Sequence, residues 1–391
     1  MENSPLASGC WTSKEMFMKR VLFGMIAVVF GFSCALGLGE VVLRLLKPQM
    51  TGPIQYAFDQ ELGPIPVPNQ SARRVLPGNY DYRYTNNSLG LRGSREYSFS
   101  QSTTERVLVL GDSFTYGLGV DDDQTFAARI ESRLIAAEKP VEVINAGSPG
   151  KGTDYALKFF DTVGRKFSPT LTVLCFFRND FDDNVRGAYY TIDVQMHLQP
   201  KSLRSSMASQ KQILSKIPLY NWLISWSHLA NLLKQAAISM LTVGDEAGST
   251  SKNDSLVTRY SRERSSLPVQ HQFATSIYLH HLNQSVQNSQ SALLVFYIPD
   301  ADDVESYRSN KSMAEEERVL TELLEKESVA FISLTSFLAD SQTLISQLYY
   351  NEGHWTAVAH QLAAKAIADA VSLRLKNVKR RVSSADGAKS S

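Results

Sequence analysis

Four short stretches of the sequence carry the groups that acyl transfer requires. "GDSFTYG" contains Ser113, "NAGSPG" ends at Gly150, "RND" contains Asn179 and "NEGHW" contains His354. Acyl transfer needs a nucleophile, a general base and preformed donors for the oxyanion that develops on the carbonyl oxygen. A serine, a histidine, a glycine N–H and an asparagine amide can fill these roles. Each residue alone also has a structural explanation, such as a serine that caps a helix. Only their joint placement can therefore indicate a catalytic site.

Five apolar runs alternate with helical segments after residue 81 and would position these groups. The runs are RVLVLG, VEVINAG, TLTVLCFF, SALLVFYIP and VAFISL. Strands that are apolar on both faces and alternate with helices indicate a parallel sheet covered by helices on both sides. Ligands bind at the carboxyl ends of such strands. Ser113, Gly150 and Asn179 each follow a strand end, and His354 follows the last strand after a connection, so we expect the four to converge.

In this order, the four blocks resemble those of the SGNH (GDSL-type) hydrolase superfamily. "NNSLGLRG" at 86–93 is similar to the lead-in of membrane-anchored bacterial members, and the resemblance covers about residues 81–375. It implies a three-layer α/β/α fold with a five-stranded, mainly parallel, flavodoxin-like sheet. It also implies Ser113 as nucleophile, His354 as base, and an oxyanion hole made by the N–H groups of Ser113 and Gly150 and the side chain of Asn179.

Two positions depart from the family pattern. The family places an aspartate just before the histidine, whereas this chain has Asn351 and Glu352 ahead of His354. We expect Glu352 to orient the imidazole, because Ser-His-Glu triads exist on other folds and Asn351 supplies no charge. The third block usually begins with glycine, but here Phe177 holds that place and Arg178 follows. Arg178 is a candidate for contacting an anionic substrate, although pairing with a nearby carboxylate is the simpler expectation.

The N-terminal part of the chain has the composition of a membrane anchor. Residues 21–39 contain no charge, and this stretch would span about 28 Å as a helix, close to the hydrocarbon core of about 30 Å. Basic residues precede the run, which favours a cytoplasmic N-terminus, 1–20, and a domain that faces the periplasm from the inner membrane. We expect an uncleaved single-pass anchor over 21–46, with a cleaved signal peptide as the alternative.

The remaining chain divides by composition. Proline- and glycine-rich sequence predicts an extended linker. The alternating strands and helices predict a hydrolase-like domain, and the basic C-terminus predicts a disordered tail. Inside the domain, a stretch with Trp222 and Trp226 predicts a largely helical insertion whose tryptophans pack, with a substrate-shaping lid as the alternative. The expected boundaries are 47–80 for the linker, 81–375 for the domain, 185–270 for the insertion and 376–391 for the tail.

The composition and the cysteine spacing limit which partners and cofactors we expect the chain to bind. The net charge of +1 gives no electrostatic footprint for nucleic acid. The three cysteines are widely separated, so we expect no disulfide, and neither cysteine nor histidine spacing indicates a metal site. No glycine-rich phosphate-binding pattern is present, and we expect no cofactor.

These features predict a serine hydrolase that cleaves acyl esters, with a carbohydrate O-acetyl group or a lipid ester as substrate. One alternative is an envelope O-acyltransferase that uses the same site. The other is a non-catalytic protein of the same fold that takes part in polysaccharide assembly, an idea motivated by Glu352 and Phe177.

Overall fold

A computed structural model of the chain describes residues 13–100, 104–186, 189–203, 217–242 and 267–389. Two short 3₁₀ helices, Asp122–Gln124 and Gly164–Phe167, supplement the α-helices and strands. The helices in these ranges are α1 (Ser13–Leu46), α2 (Ser113–Tyr116), α3 (Phe126–Ala136), α4 (Thr153–Thr162), α5 (Asp180–Arg186), α6 (Pro218–Trp226), α7 (His228–Thr242), α8 (Val269–Asn288), α9 (Ala301–Asn310), α10 (Glu315–Lys326), α11 (Thr335–Asp340), α12 (Ile345–Leu348) and α13 (Ala357–Lys389). The strands are β1 (Tyr56–Asp59), β2 (Gly63–Pro66), β3 (Ser71–Leu76), β4 (Tyr80–Thr85), β5 (Glu105–Gly111), β6 (Val141–Gly147), β7 (Leu171–Phe177), β8 (Tyr190–Ile192), β9 (Leu198–Pro200), β10 (Ala292–Ile298) and β11 (Ala330–Ser333).

The central sheet contains five parallel strands in the order β11-β10-β7-β5-β6. Numbered by their place in the chain, the strands follow the flavodoxin-like order 2-1-3-4-5. Gly111 at the end of β5 pairs with Gly147 on β6 and with Cys175 on β7, so the three strands end at nearly the same level. The carboxyl edge around β5 is the switch point at which such sheets bind ligands.

Helices cover both faces of this sheet, which confirms the predicted three-layer α/β/α fold. Val107 and Val109 of β5 belong to a core shared with α3, α9, α11 and α13, whereas Leu108 and Leu110 belong to a core shared with α4, α8 and α10. All four side chains are at most 1% exposed. Because each face must be buried, the strand is apolar throughout, and each such side chain contributes about 1.5–3 kcal/mol.

The segment 47–80, expected to be an extended linker, instead contains β1, β2 and β3. Strands β1 and β2 pair with each other, and β3 pairs with β4. Strand β4 buries Tyr80, Tyr82 and Tyr84 on one side, where they pack with Tyr116 and Leu118. This period-two alternation requires a partner strand, and β3 supplies it. Several glycines and prolines of the segment lie in tight turns or in the short strand β2 of this folded region.

The predicted tail and the insertion contain elements that the sequence did not indicate. Helix α13 continues to Lys389, through nearly all of the predicted disordered tail 376–391. In the largely helical insertion 185–270, β8 and β9 form a hairpin before α6 and α7. The polar loop expected near its end, together with 204–216, lies outside the described residues.

The two tryptophans of the insertion contact each other rather than the core. Their ring centroids lie 4.9 Å apart with the planes at 63°. Trp222 stays 56% exposed and Trp226 39% exposed, so neither tryptophan is buried in the core as the expected role in packing would suggest.

Helix α1 carries the apolar N-terminal run. Its segment Met16–Leu46 is 31 residues long and contains an 18-residue window with a mean hydropathy of 2.4, no part of which is buried. By length and composition this helix could cross a bilayer, either as an anchor or as a signal sequence.

Candidate active site

Strand β5 delivers Ser113 to the carboxyl edge through a sharp turn. Gly111 has φ +151°, and a Cβ there would lie 2.7 Å from the backbone oxygen of Cys175, so only glycine fits. Asp112 then caps α2, because its Oδ1 accepts a hydrogen bond from the Phe114 N–H at 2.9 Å. Ser113 is the first residue of α2 and is 7% exposed.

Ser113, His354 and Glu352 form a continuous hydrogen-bonded chain. The Ser113 Oγ–H donates to His354 Nε2 at 2.8 Å, and the His354 Nδ1–H donates to Glu352 Oε2 at 2.6 Å. Glu352 is 3% and His354 4% exposed, so solvent screens this chain little. The carboxylate selects the tautomer with the proton on Nδ1, which leaves Nε2 free to accept the serine proton. The extra methylene of glutamate therefore does not prevent contact with the ring.

A tight loop aims the histidine at the serine. Gly353 adopts φ +98°, its N–H donates to the Tyr350 oxygen at 2.9 Å, and the Tyr350 N–H donates to the His354 oxygen at 2.8 Å. Trp355 is fully buried and packs edge-on against Phe114, whose ring also lies 4.9 Å from the imidazole. The aromatic contacts hold the histidine ring over α2.

The turn between β3 and β4 supports the same loop from the other side. Asn79 Oδ1 accepts a hydrogen bond from the Glu352 N–H at 3.1 Å. Asn351 is exposed and donates to the Gly78 oxygen at 3.4 Å, so it points away from the imidazole. Sequence reasoning missed Asn79, because its stretch "LPGNY" carries only turn signals and lies far from Glu352 along the chain.

Two backbone N–H groups at the edge are available to an oxyanion. The Ser148 N–H donates to the Gly111 oxygen at 2.9 Å, which holds the loop after β6 beside the end of β5. In that loop Gly150 adopts φ +71°, a left-handed conformation that favours glycine. Within the described part of the chain, neither the Ser113 N–H nor the Gly150 N–H has an acceptor.

The third expected donor, Asn179, lies at the end of β7 and is partly engaged. Its Nδ2 donates to Asp183 Oδ2 at 3.3 Å, and its Oδ1 has no partner among the described residues. A side-chain amide has two N–H groups. One can therefore remain on Asp183 while the other serves an oxyanion.

Buried carboxyl groups next to the site have raised pKa values. Burial raises the pKa of Asp112 to about 6. Burial, helped by the neighbouring Asp112 and Asp183 carboxylates, raises the pKa of Asp180 well above its usual range. Burial therefore disfavours the negative charge of these two carboxyl groups next to the site.

Arg178 and Phe177, which mark the departure in the third block, have structural roles. Arg178 donates to Asp300 at 2.7 Å and to Glu316 at 2.9 Å. This double ion pair is the simpler of the two expectations for Arg178. Phe177 is 1% exposed and packs 4.5 Å from the ring of Phe114, so the side chain that replaces glycine fills the core.

Residues of the lead-in "NNSLGLRG" form hydrogen bonds with α2 and with the turn that follows it. Arg92 donates to the oxygens of Tyr116 at 3.1 Å, Gly117 at 3.0 Å and Val120 at 2.7 Å. Asn86 accepts a hydrogen bond from the Tyr116 hydroxyl at 2.8 Å. These buried contacts fix α2 and its exit, a role that the sequence block alone did not indicate.

The chain is similar to several solved esterases and acylhydrolases, although no family model and no curated protein matches it. TesA is 15% identical with a TM-score of 0.36, over 68% of this chain and 97% of that one. The esterase EstA from Pseudoalteromonas sp. is 14% identical with a TM-score of 0.37, over 70% and 99%. Axe2, an acetylxylan esterase from Geobacillus stearothermophilus, is 11% identical with a TM-score of 0.37, over 67% and 92%.

Proposed function

We propose that the chain is an SGNH-type serine hydrolase that cleaves acyl esters through Ser113, His354 and Glu352. The observation that carries this proposal is the hydrogen-bonded chain from Ser113 Oγ through both imidazole nitrogens to Glu352 Oε2, at 2.8 and 2.6 Å. All three side chains are buried near the carboxyl edge of β5, the edge at which parallel sheets of this kind bind ligands.

In the acylation step, Ser113 Oγ attacks the ester carbonyl while its proton passes to His354 Nε2. The imidazolium that forms keeps its Nδ1–H on Glu352, whose negative charge stabilises it. The carbonyl oxygen becomes an oxyanion, for which the N–H groups of Ser113 and Gly150 and one N–H of Asn179 are the donors. The tetrahedral intermediate then collapses, and His354 returns the proton to the departing alcohol.

Deacylation repeats these steps with water. His354 removes a proton from water, the hydroxide attacks the acyl carbon, and the bond from the acyl carbon to Ser113 Oγ breaks. Ser113 recovers its proton and the carboxylic acid leaves. If a sugar hydroxyl replaces water, the same site becomes an O-acyltransferase, which is the alternative within this chemistry.

The proposed location is the inner membrane, with α1 as a single-pass anchor and the hydrolase domain in the periplasm. The support is the length and apolar character of α1 together with the basic residues that precede its apolar run. An envelope location suits carbohydrate O-acetyl groups or lipid esters as substrates. The proposed functional units are the anchor 21–46 and a domain that includes 81–375, and Arg178 is not assigned to the substrate.

Fluorophosphonate labelling of the full chain in membranes tests the nucleophile. The wild-type protein should label, and Ser113→Ala should neither label nor hydrolyse acetyl esters. Ser148→Ala is the matched control, because Ser148 lies in the same edge but contributes its backbone N–H, which alanine keeps. Absence of labelling in the wild type would favour the non-catalytic alternative, and labelling that survives Ser113→Ala would refute the assignment.

Partition of the acyl group separates hydrolase from transferase. The protein is supplied with an acetyl ester in the presence and absence of an oligosaccharide acceptor, and acetate and acetylated sugar are measured. A hydrolase releases acetate at the same rate in both cases, whereas a transferase diverts acetyl groups to the sugar.

A further inference from the structure

Helices α6 and α7 present large apolar side chains to the outside. On α6, Leu219 is 62%, Trp222 56% and Trp226 39% exposed, and on α7 Leu233 is 59% exposed. The three residues of α6 are three and four positions apart and so share one face. Contiguous exposed apolar surface of this kind marks an interaction site.

The junction of these helices is attached to α1. Glu40, near the end of α1, accepts hydrogen bonds from the His228 N–H and the Leu229 N–H, both at 2.9 Å. It also accepts one from the Ser227 hydroxyl at 2.9 Å. The carboxylate therefore caps the N-terminus of α7. A Cβ at Gly39 would lie 3.9 Å from Leu229, so the two helices are close neighbours.

This attachment lies at the end of the apolar run of α1. Glu40 is the first charged residue after the uncharged stretch 21–39. Arg44, one turn further, pairs with Glu40 at 2.8 Å, donates to the Trp226 oxygen at 3.1 Å and lies 5.3 Å from the Trp226 ring. Arginine and tryptophan side chains are typical of the boundary between hydrocarbon and headgroups. Trp226 is thus at the depth where a bilayer crossed by α1 would end.

We propose that the exposed face of α6 and α7 binds the same bilayer that α1 enters, at the level of its headgroups. The apolar surface of α1 continues past the junction, since Leu45 is 76% and Leu46 81% exposed. The sequence of α6 and α7 contains a single charged residue, Lys234. A helix pair of this composition, held against a membrane helix, suits the lipid interface, where aromatic rings reside. The contact fixes the hydrolase domain close to the membrane surface.

Tryptophan fluorescence can test this contact, because the chain has four tryptophans. Trp355 is fully buried, and Trp11→Phe removes the tryptophan ahead of α1. The full-length Trp11→Phe protein is reconstituted into phosphatidylcholine vesicles whose acyl chains carry bromine near either the glycerol end or the methyl end. The expected result is that bromine quenches emission, and that bromine near the glycerol end quenches more strongly.

The control variant adds Trp222→Phe and Trp226→Phe to the same protein and leaves only Trp355. Its quenching should fall to the low level of a buried ring, with an unchanged melting temperature. Equal quenching in the two proteins would refute the proposal. A second copy of the chain or another protein that covered the face in place of lipid would give this result. Resistance to extraction with alkaline carbonate reports separately whether α1 is inserted, so failure of the anchor and failure of the interfacial contact are distinguishable.

Discussion

Glu352→Gln is the substitution that examines the candidate triad most directly, because it keeps the side-chain shape and removes only the charge. Glu352 Oε2 lies 2.6 Å from His354 Nδ1, and both side chains are buried. When His354 takes the proton from Ser113, the ring becomes cationic. The glutamine leaves that cation without its counter-charge and can also hold the wrong tautomer.

Two estimates give the expected decrease in kcat for Glu352→Gln. At an effective dielectric constant of about 20, unit charges at the 2.6 Å separation interact by about 6 kcal/mol. Loss of the triad carboxylate in a serine protease lowers kcat about 10⁴-fold, which equals about 5.4 kcal/mol. We therefore expect Glu352→Gln to lower kcat by about 10⁴-fold with little change in KM.

Glu352→Asp should give an intermediate result. Removal of one methylene, with the backbone still held by Asn79, withdraws the carboxylate to about 4 Å from His354 Nδ1, where about 4 kcal/mol of the interaction remains. The loss of about 2 kcal/mol predicts a decrease in kcat of about 30-fold. The graded order of glutamate, aspartate and glutamine is specific to a charge that acts on the imidazole.

Steady-state hydrolysis of a chromogenic acetyl ester by the full chain measures these values. Asn351→Ala is the matched control, because Asn351 is exposed and, among the described residues, its side chain bonds to the Gly78 oxygen alone; the kcat of this variant should equal that of the wild type. Melting temperatures verify folding, since removing one partner of a buried pair also destabilises. A kcat for Glu352→Gln within about tenfold of wild type would refute the triad as drawn, against the expected 10⁴-fold.

Three further substitutions test the surroundings of the triad. Asn179→Ala should lower kcat about 10²–10³-fold with little change in KM, and an unchanged kcat in steady-state assays would remove it from the oxyanion hole. Asn79→Ala should lower kcat less than Glu352→Gln and add nothing to that variant, because it acts through Glu352; additive losses in the double mutant would contradict this. Burial raises the pKa of Asp112 from 3.8 to about 6, so its protonated form stabilises the fold below 3.8 and that stabilisation is lost as pH rises through 6. Urea unfolding should show wild type losing about 3 kcal/mol relative to Asp112→Asn over this window, whereas parallel pH curves would contradict it.

The sheet and the positions of the candidate groups could be predicted because their signals are local. A run such as "RVLVLG" indicates by itself that both faces of β5 are buried. The residues that follow the end of the strand must then lie at the carboxyl edge of the sheet. Ser113, Gly150 and Asn179 follow three strand ends in this way. The parallel order then brings them together without any knowledge of individual side-chain contacts.

The supports of the site could not be predicted, since they connect distant parts of the chain. The sequence around Arg178 does not predict Asp300 or Glu316 as its partners. The sequence around Glu352 likewise does not predict its contact with Asn79. The segment 47–80 also has an ambiguous composition, because glycine and proline mark tight turns between short strands as readily as they mark a linker. The alternating tyrosines of β4 need a partner strand, and two of them, Tyr82 and Tyr84, lie beyond the boundary that composition suggested.

Asn79 lies in the turn of the β3–β4 hairpin, and its contact with Glu352 has a practical consequence for preparing the protein. A soluble version that begins at residue 81, where composition places the domain boundary, would lose β3, Asn79 and Tyr80 and would expose Tyr82 and Tyr84 of β4. Glu352 would then lose the acceptor for its N–H. Such a shortened protein would keep every sequence block of a hydrolase and still react weakly, and it would be mistaken for a natural pseudoenzyme. A start directly after α1, at residue 47, keeps the folded hairpin with the site it supports.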